Sequence, residues 1–332
     1  MNRILIIRLD GLGDTLLTLP LLTGLKTCWP ACHITYIASP LGAGVFADDS
    51  RIDELWVESL AAMNRHQKWQ LAGRIRGETF DAVICLNEKF WPTIWTACSG
   101  ARFRLSFDPG RTQPLRALLR RSTLSHRLRS ANDPSLVSIH EVERYAGLAA
   151  LVGCRAAAGP MRFSLAAGAV DWARQLMAEQ SAQIPVCLHL SPKWASEGWP
   201  VSTAAAVARQ LLERFPALFL YVTAGPGEDR YWSGADELLP AGRFRLCNNL
   251  SLAEWAALLS QCRALVSMDT GAVHLAAAVN TPVVDVFPEL NFLHASSRWA
   301  PWQVPHRIVR RPSAERTTEF MSEIQAALEA LL

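Results

Sequence analysis

Short runs of apolar residues alternate along the chain with longer segments in which apolar residues recur every three or four positions. The short runs have the length of buried strands, and the longer segments have the period of amphipathic helices. In the first half of the chain this pattern predicts strands at 4–7, 34–37, 55–57, 82–86 and 103–105, with helices near 13–26, 61–76, 90–99 and 139–152. Such alternation is typical of parallel sheets joined by crossover helices.

A second series of strands and helices follows an Ala- and Gly-rich stretch between Arg155 and Gly168, which is typical of a linker. It predicts strands at 186–190, 218–223, 244–246, 264–268, 283–287 and 307–309, with helices near 201–215, 251–260, 271–279 and 316–331. At 332 residues the chain exceeds the size at which a single core usually stops growing. We therefore predict an α/β protein with two Rossmann-like lobes, at 1–160 and 161–315, and a C-terminal helix at 316–332 that could pack back on the first lobe. A single large barrel is the alternative.

Composition and charge narrow the class of partner. Half of the residues are hydrophobic and 19% are charged, as in an ordinary soluble globular protein. The net charge of +3 gives no case for a nucleic-acid partner. The basic segment 102–129, however, holds eight arginines and one acid, Asp108. This local charge suits an anionic partner, although a solvated surface would have the same composition.

Cysteines and apolar runs bear on metal binding and location. The eight cysteines are scattered, several lie in apolar runs, and we interpret them as small buried side chains that suit a reducing compartment. Cys28, Cys32 and His33 form the one close cluster, and no second ligand pair follows at zinc-site spacing, so we predict no metal site. The first apolar run is too short for a signal peptide, and no stretch approaches the ~18 apolar residues that span a bilayer. We predict a cytoplasmic protein, with peripheral contact at the inner face of the inner membrane as an option.

The first strand runs into Leu9-Asp10-Gly11-Leu12-Gly13-Asp14, where the apolar spacing changes from that of a strand to that of a helix. Glycines allow the tight bend and let a ligand approach the start of the helix. A dinucleotide fingerprint would have a third glycine where Leu16 stands, so an NAD-dependent oxidoreductase ranks last. Asp14 could stabilise the helix dipole, or it could act as a general base toward an acceptor hydroxyl.

A second strand-turn-helix junction lies at Asp269-Thr270-Gly271, with His274 one helical turn further on. Thr270 and the amides near Gly271 could hold a diphosphate, and His274 would face the same end of the helix. Alternatively, Asp269 is a helix cap and His274 is a packing residue.

Two more turns follow predicted strands in the second half. Glu228, after Gly225-Pro226-Gly227, could accept hydrogen bonds from ribose hydroxyls, or it could be a first-turn helix acid. Ser191 and Lys193 come directly after another strand, where an ammonium could neutralise a leaving phosphate.

In their order along the chain these motifs resemble the lipopolysaccharide heptosyltransferases, glycosyltransferase family 9. The resemblance covers about residues 1–290 and rests on the opening Ile-Ile-Arg-Leu, Gly13-Asp14, Thr18-Leu19-Pro20, His140-Glu141-Val142-Glu143-Arg144, Trp199-Pro200, Gly225-Pro226-Gly227-Glu228, Leu250-Ser251-Leu252, Asp269-Thr270-Gly271 and His274-Leu275-Ala276-Ala277. It implies a GT-B fold whose two parallel sheets face a central cleft. Transfer would be inverting and metal-independent, with ADP-heptose as co-substrate and no other cofactor.

The resemblance also assigns roles to individual residues. It makes Asp14 the base, Glu228 the ribose contact, Leu250 the adenine contact and Asp269 the acid near the donor sugar. Besides Leu250, the predicted donor-binding residues are Ser191, Lys193, Glu228, Asp269, Thr270, Gly271 and His274, and the predicted acceptor-binding residues are Gly13, Arg116, Arg120 and Arg121. The basic segment would then meet a phosphorylated or carboxylated lipid-linked saccharide.

Two positions near the donor depart from the family. Glu197 stands where well-known members have a lysine that meets the donor phosphates, and Phe287-Pro288-Glu289 replaces the usual Gly-Pro-Thr. An acid would repel a diphosphate, so either Lys193 substitutes for the lysine or the donor is held differently. Two alternatives therefore stay open, a non-catalytic paralogue that binds a sugar nucleotide and a transferase whose acceptor is a protein side chain.

Overall fold

Parallel strands, each followed by a helix or a helical turn, build both halves of the chain. The computed structural model describes residues 1–109, 114–130, 139–225, 227–232 and 239–332. They form two units, a first lobe at Met1–Ser164 and a second lobe at Leu165–Leu332. This division lies close to the boundary at residue 160 that the linker composition predicts.

The first lobe contains a six-stranded sheet in the order β3-β2-β1-β4-β5-β6, with every pairing parallel. Its strands are β1 (Arg3–Arg8), β2 (His33–Ala38), β3 (Glu54–Val57), β4 (Ala82–Cys85), β5 (Phe103–Asp108) and β6 (His126–Arg129). Its helices are α1 (Leu12–Leu16), α2 (Leu19–Cys28), α3 (Pro40–Ala43), α4 (Arg65–Gly77), α5 (Phe90–Cys98), α6 (Pro114–Thr123) and α7 (Glu141–Ala150). This strand order is that of the Rossmann fold.

The second lobe repeats the same topology with strands in the order β12-β11-β10-β7-β8-β9. Its strands are β7 (Ile184–Leu190), β8 (Leu218–Ala224), β9 (Phe244–Asn248), β10 (Ala264–Met268), β11 (Val283–Pro288) and β12 (His306–Arg311). Its helices are α8 (Ala167–Met177), α9 (Thr203–Arg214), α10 (Leu252–Gln261), α11 (Gly271–Ala278), α12 (Phe292–Trp299) and α13 (Thr317–Glu329). Both lobes are therefore Rossmann-like, as the alternating pattern predicts, and the cleft between them stays a prediction.

Burial follows from the position of each strand in its sheet. Residues Ile4–Ile7 of β1 and Ala264–Met268 of β10 are completely buried, because central strands of a parallel sheet are covered by helices on both faces. Each lobe changes strand order between two central neighbours, β1 and β4 in the first lobe and β7 and β10 in the second. Ligands of open α/β sheets bind at the carboxyl ends of such neighbouring strands, so this topology defines where a site should be sought.

The structure differs from the predicted elements in both lobes and at the C terminus. The helix predicted near 13–26 is two helices. Pro20 has no amide hydrogen to donate within a continuous helix, and its ring would clash with the preceding helical turn. The sequence pattern does not predict the edge strand β6 and the helix α6, which lie in the basic segment, nor the helices α3, α8 and α12. The C-terminal helix α13 packs on α9 and β12 of its own lobe, whereas the sequence leaves packing on the first lobe open.

Two of the eight cysteines are joined. Cys28 at the end of α2 and Cys154 after α7 form a disulfide with a Cα–Cα distance of 5.6 Å. The interpretation of the cysteines as reduced, buried side chains is therefore wrong for this pair, and it holds for Cys32, Cys85, Cys187, Cys247 and Cys262. Among the described helices, none combines the length and the apolar character of a bilayer-spanning segment.

Candidate active site

Arg8 organises the switch point of the first lobe. It is the last residue of β1, it is nearly buried, and its Nη1 donates to the carbonyl of Leu86 after β4 at 2.6 Å. Its Nη2 donates to Oδ1 of Asp14 at 2.5 Å. Burial alone would lower the pKa of Arg8, but neighbouring groups that include Tyr145, Asp14 and Asp10 outweigh it and raise that pKa. Arg8 therefore stays charged and fixes one oxygen of Asp14 at the end of the central strand.

The two acids of this turn differ in how they are used. Both oxygens of Asp10 have partners, since Oδ2 accepts from Nδ2 of Asn87 at 2.5 Å and Oδ1 accepts from Nζ of Lys89 at 2.8 Å, and Nε of Arg8 lies 3.4 Å from Oδ2. Asp14 pairs only with Arg8 among the described residues, and its side chain is 36% exposed. Asp14 is therefore the carboxylate that keeps an oxygen available to a ligand.

The predicted acceptor-binding residues of the first lobe lie in different environments. Gly13 is half-buried in α1, beside Asp14. Arg120 is 1% exposed, and its guanidinium donates to Ser106 Oγ, Phe107 O and Asn87 O at the ends of β4 and β5. Arg120 therefore supports the sheet edge instead of presenting the surface charge expected from the sequence. Arg121 is exposed, with Nε 2.9 Å from Oδ2 of Asp108, whereas the side chain of Arg116 lies outside the described residues.

Lys193 and Asp269 meet at the switch point of the second lobe. Lys193 follows β7 and Asp269 follows β10, which are paired neighbours. Nζ of Lys193 donates to the carbonyl of Asp269 and lies 3.1 Å from its Oδ2. Almost half of the Lys193 side chain is exposed. The structure thus brings together two predicted donor-binding residues that are 76 positions apart in sequence.

The turn after β10 leads into α11 through a side-chain cap. Thr270 is the N-cap residue, and its Oγ1 accepts from the amide of Ala272 at 3.3 Å. The helix then starts at Gly271, and its first amides have no carbonyl within the helix, which favours an anion there. His274, in contrast, is only 4% exposed and Ser191 only 3%. Both side chains are therefore largely closed to solvent.

The predicted nucleotide contacts follow the next strands of this sheet. Oε2 of Glu228 accepts from the amide of Gly225 at 3.1 Å in the turn after β8. Leu250 follows β9 and is half-buried, directly before the capping box in which Ser251 and Glu254 exchange hydrogen bonds at the start of α10. Since β7, β8 and β9 are adjacent, Lys193, Glu228 and Leu250 all lie at one carboxyl edge.

Glu197 has a partner that the sequence does not reveal. Its backbone is left-handed, with φ 57°, and its Oε2 accepts from Nη2 of Arg311 at 3.1 Å. Arg311 is fully buried, and its Nη1 also donates to the carbonyls of Lys193 at 2.5 Å and Trp194 at 3.4 Å. The charge of Glu197 is therefore balanced by Arg311, and Arg311 holds the turn that presents Lys193.

Replacement of Arg311 by methionine should destabilise the second lobe by about 1–3 kcal/mol, because buried carbonyl oxygens lose their donors. Urea unfolding of the full chain measures this free energy. Arg310→Met is the matched control, since Arg310 is half-exposed and pairs at the surface with Glu289, an interaction worth below about 1 kcal/mol. Equal losses in the two variants would show that Arg311 does not hold the turn.

Comparison with known proteins fits this geometry. Two Rossmann-like lobes are the architecture of the GT-B fold. Residues 68–326 match the sequence model of Glycosyltransferase family 9 (heptosyltransferase), and the chain belongs to that family.

One sequence relative and two solved structures are similar to this chain, and the two structures show that it shares their fold. Lipopolysaccharide heptosyltransferase 1 of Pseudomonas aeruginosa is 26% identical over 310 residues, which cover 87% of this chain and 79% of the relative. The crystal structure of a family 9 glycosyl transferase from Veillonella parvula superposes with a TM-score of 0.81, at 18% identity, over 99% of this chain and 97% of that one. ADP-heptose LPS heptosyltransferase II of Escherichia coli gives a TM-score of 0.75 at 17% identity over 100% and 98% of the two chains.

Proposed function

We propose that this family 9 glycosyltransferase transfers a heptose from ADP-heptose to an anionic saccharide of the lipopolysaccharide core. The observation that carries the proposal is the carboxylate of Asp14, which Arg8 holds by one oxygen while 36% of the side chain stays exposed. A base in transferase chemistry needs this combination of fixed orientation and an accessible oxygen. The donor is supported by the second-lobe turns and by the relative whose name includes ADP-heptose.

In the proposed reaction the acceptor hydroxyl loses its proton to Asp14. The oxygen of the acceptor hydroxyl then forms a bond to the anomeric carbon of the heptose from the face opposite the diphosphate. The bond between that carbon and the diphosphate oxygen breaks, and its electron pair leaves with ADP. Attack from the opposite face inverts the anomeric configuration, and Asp14 later returns its proton to water.

The charge that develops on the departing ADP would be met by the second lobe. Lys193 supplies an exposed ammonium beside Asp269, and Thr270 and Gly271 supply the amide-rich start of α11. Groups that are already oriented toward developing charge contribute strongly to catalysis. These residues could stabilise the leaving group without a metal ion, so we propose that activity persists in EDTA.

The acceptor would meet the first lobe through its exposed arginines. Arg121→Glu should raise the acceptor KM about fivefold at low salt and less at high salt, because a surface charge pair contributes about 1 kcal/mol and is screened by ions. Initial rates at two salt concentrations test this. Arg174→Glu is the matched control, since Arg174 is an exposed arginine of the second lobe that also pairs with an acid, Asp171. A KM that is unchanged in Arg121→Glu would favour an acceptor without negative charge, such as a protein side chain.

The proposed function is tested by incubating the purified chain with ADP-heptose and a lipopolysaccharide-core acceptor. Mass spectrometry should detect the acceptor with one heptose added, and NMR should show inversion at the anomeric carbon. The absence of product with this acceptor, together with transfer to a peptide, would replace the saccharide acceptor by a protein side chain.

A non-catalytic paralogue is the second candidate. Glu197 at the usual lysine position favours it, but Arg311 balances that charge and Lys193 offers an ammonium at the same edge. Calorimetric binding of the donor without turnover across a broad acceptor panel would support this candidate over the transferase.

A further inference from the structure

One row of side chains across the sheet of the second lobe is polar although it lies inside the lobe. Strand pairing places Asp285, Ser267, His189 and Thr223 side by side on β11, β10, β7 and β8. All four are buried. Nδ1 of His189 is 3.0 Å from Oγ1 of Thr223, and Oγ of Ser267 donates to the carbonyl of Met268 at 2.7 Å. A polar row in a sheet interior is costly unless its groups are satisfied, so each member needs an explanation.

Asp285 is the unsatisfied member of the row. It is 0% exposed, and no described residue donates a hydrogen bond to either of its carboxyl oxygens. Burial, with a further contribution from Asp269, raises the pKa of Asp285 well above its ordinary value, and Lys193 opposes this rise only in part. The carboxyl group is therefore neutral where an exposed aspartate would be charged.

The position of Asp285 connects it to the turn that is proposed to hold the donor. Its strand neighbour Ser267 lies 3.4 Å, oxygen to oxygen, from the cap residue Thr270. The next residue of β11, Val286, accepts the amide of Asp269 at 2.9 Å. Through its neighbours Ser267 and Val286, Asp285 thus adjoins the turn that carries the Lys193–Asp269 pair.

Other charged and titratable side chains belong to the elements that pack around this part of β11. They are His189, Lys193, Asp269, His274, His294, Arg298, His306, Arg307, Arg310, Arg311, Glu319, Glu323 and Glu329. Of these, Asp269 and Lys193 are the charges that act on Asp285. A change of charge at Asp285 would therefore be felt first at the pair beside the proposed diphosphate.

We infer that Asp285 is a positioning residue for the diphosphate: as a neutral carboxyl it leaves Lys193 able to face the anion, and as a carboxylate it attracts the ammonium inward and weakens anion binding. This inference rests on the proposed function, because it takes the Lys193–Asp269 turn as the diphosphate site. Asp285 does not need to touch the ligand, since its charge acts on the diphosphate through Lys193. Ionisation of this acid as pH rises would then weaken donor binding.

The test is calorimetric titration of the full chain with ADP from about pH 5 to about pH 9.5, for wild type and Asp285→Asn. Asparagine keeps the shape of the side chain and cannot ionise. The ADP Kd of wild type should rise by roughly 5- to 150-fold, the usual range for coupled sites, as pH rises through the raised pKa of Asp285, while that of Asp285→Asn stays level. Asp171→Asn, which removes an exposed acid of the same lobe, should follow wild type. Identical pH profiles for wild type and Asp285→Asn, or a level profile for wild type, would overturn the inference.

Two further measurements separate this inference from the proposed function. The same titration with pyrophosphate tests the anion site without the nucleoside; an Asp285-dependent profile for pyrophosphate with no binding of ADP would retain the inference and reject the donor. Binding of neither probe would reject both the inference and the proposed donor.

Thermal unfolding without ligand provides the second measurement. Because the folded-state pKa is raised, the proton on Asp285 stabilises the fold fully below the unfolded-state pKa and less as pH rises through the folded-state pKa. The Tm of wild type should therefore fall relative to that of Asp285→Asn as pH rises, and parallel Tm curves would contradict a buried ionisation at this position.

Discussion

Asp14→Asn is expected to lower kcat by about 10²- to 10⁴-fold, the range that a positioned general base contributes. Asparagine keeps the oxygen that accepts from Arg8, so the turn after β1 should keep its shape while the proton acceptor is lost. Donor affinity should change little, because Asp14 belongs to the first lobe and the predicted donor contacts to the second. Initial-rate kinetics with ADP-heptose and calorimetry with ADP measure the two quantities separately.

Asp10→Asn is the matched control for this variant. Asp10 lies in the same turn, but its oxygens already accept from Asn87 and Lys89. Its replacement should therefore disturb the local network and reduce activity far less than Asp14→Asn. Equal turnover in wild type and Asp14→Asn would mean that Asp14 is not the base. An equal loss in the two variants would mean that the turn, and not one carboxylate, is what catalysis needs.

Lys193→Met should lower kcat/KM by about 10²- to 10³-fold, as removal of one group oriented toward developing charge does in other enzymes. Methionine fills a similar volume without the ammonium, so the departing diphosphate would lose its counter-charge. The link from β7 to Asp269 would be lost as well. Rates at saturating and limiting ADP-heptose distinguish weaker donor binding from slower transfer.

Two further variants serve as controls for Lys193→Met. Lys193→Arg keeps a positive charge and should retain more activity than the methionine variant. Lys26→Met removes a lysine of the first lobe that pairs with Asp53 and should leave donor kinetics near wild type. Full activity of Lys193→Met would mean that the diphosphate is held elsewhere.

The regular elements follow from the sequence where burial is strong. The apolar runs at β1, β4, β10 and β11 predict their strands because central strands of a parallel sheet carry continuous apolar residues. Strand β6 was missed because His126-Arg127-Leu128-Arg129 is a half-exposed edge strand with three basic side chains. Such a strand depends on its pairing with β5, which is not a local property of the sequence.

Candidate ligand-binding residues could be predicted where they follow strands, but their partners could not. Asp14, Lys193, Asp269 and Thr270 stand at strand-to-helix junctions, which is visible in the sequence. That Arg8 orients Asp14 depends on a side chain reaching from β1 to α1, which spacing does not encode.

The sequence gives the charge of a side chain but not the residues that surround that charge in the folded protein. Arg120 lies in a basic segment, yet its guanidinium is enclosed by oxygens from β4 and β5. In the sequence, the negative charge of Glu197 is expected to repel a diphosphate, yet Arg311, 114 positions later, neutralises that charge. In both cases the partner comes from a distant strand, so only the folded sheet explains the residue.

A transferase of this kind releases one ADP for every sugar that it transfers. The most direct measurement follows ADP release and heptosylated acceptor together in one reaction with ADP-heptose. We expect equal molar amounts of the two products, formed at the same rate, with an inverted anomeric carbon. Binding of the donor without either product across a broad acceptor panel, or release of ADP with no sugar on any acceptor, would contradict the proposed transfer.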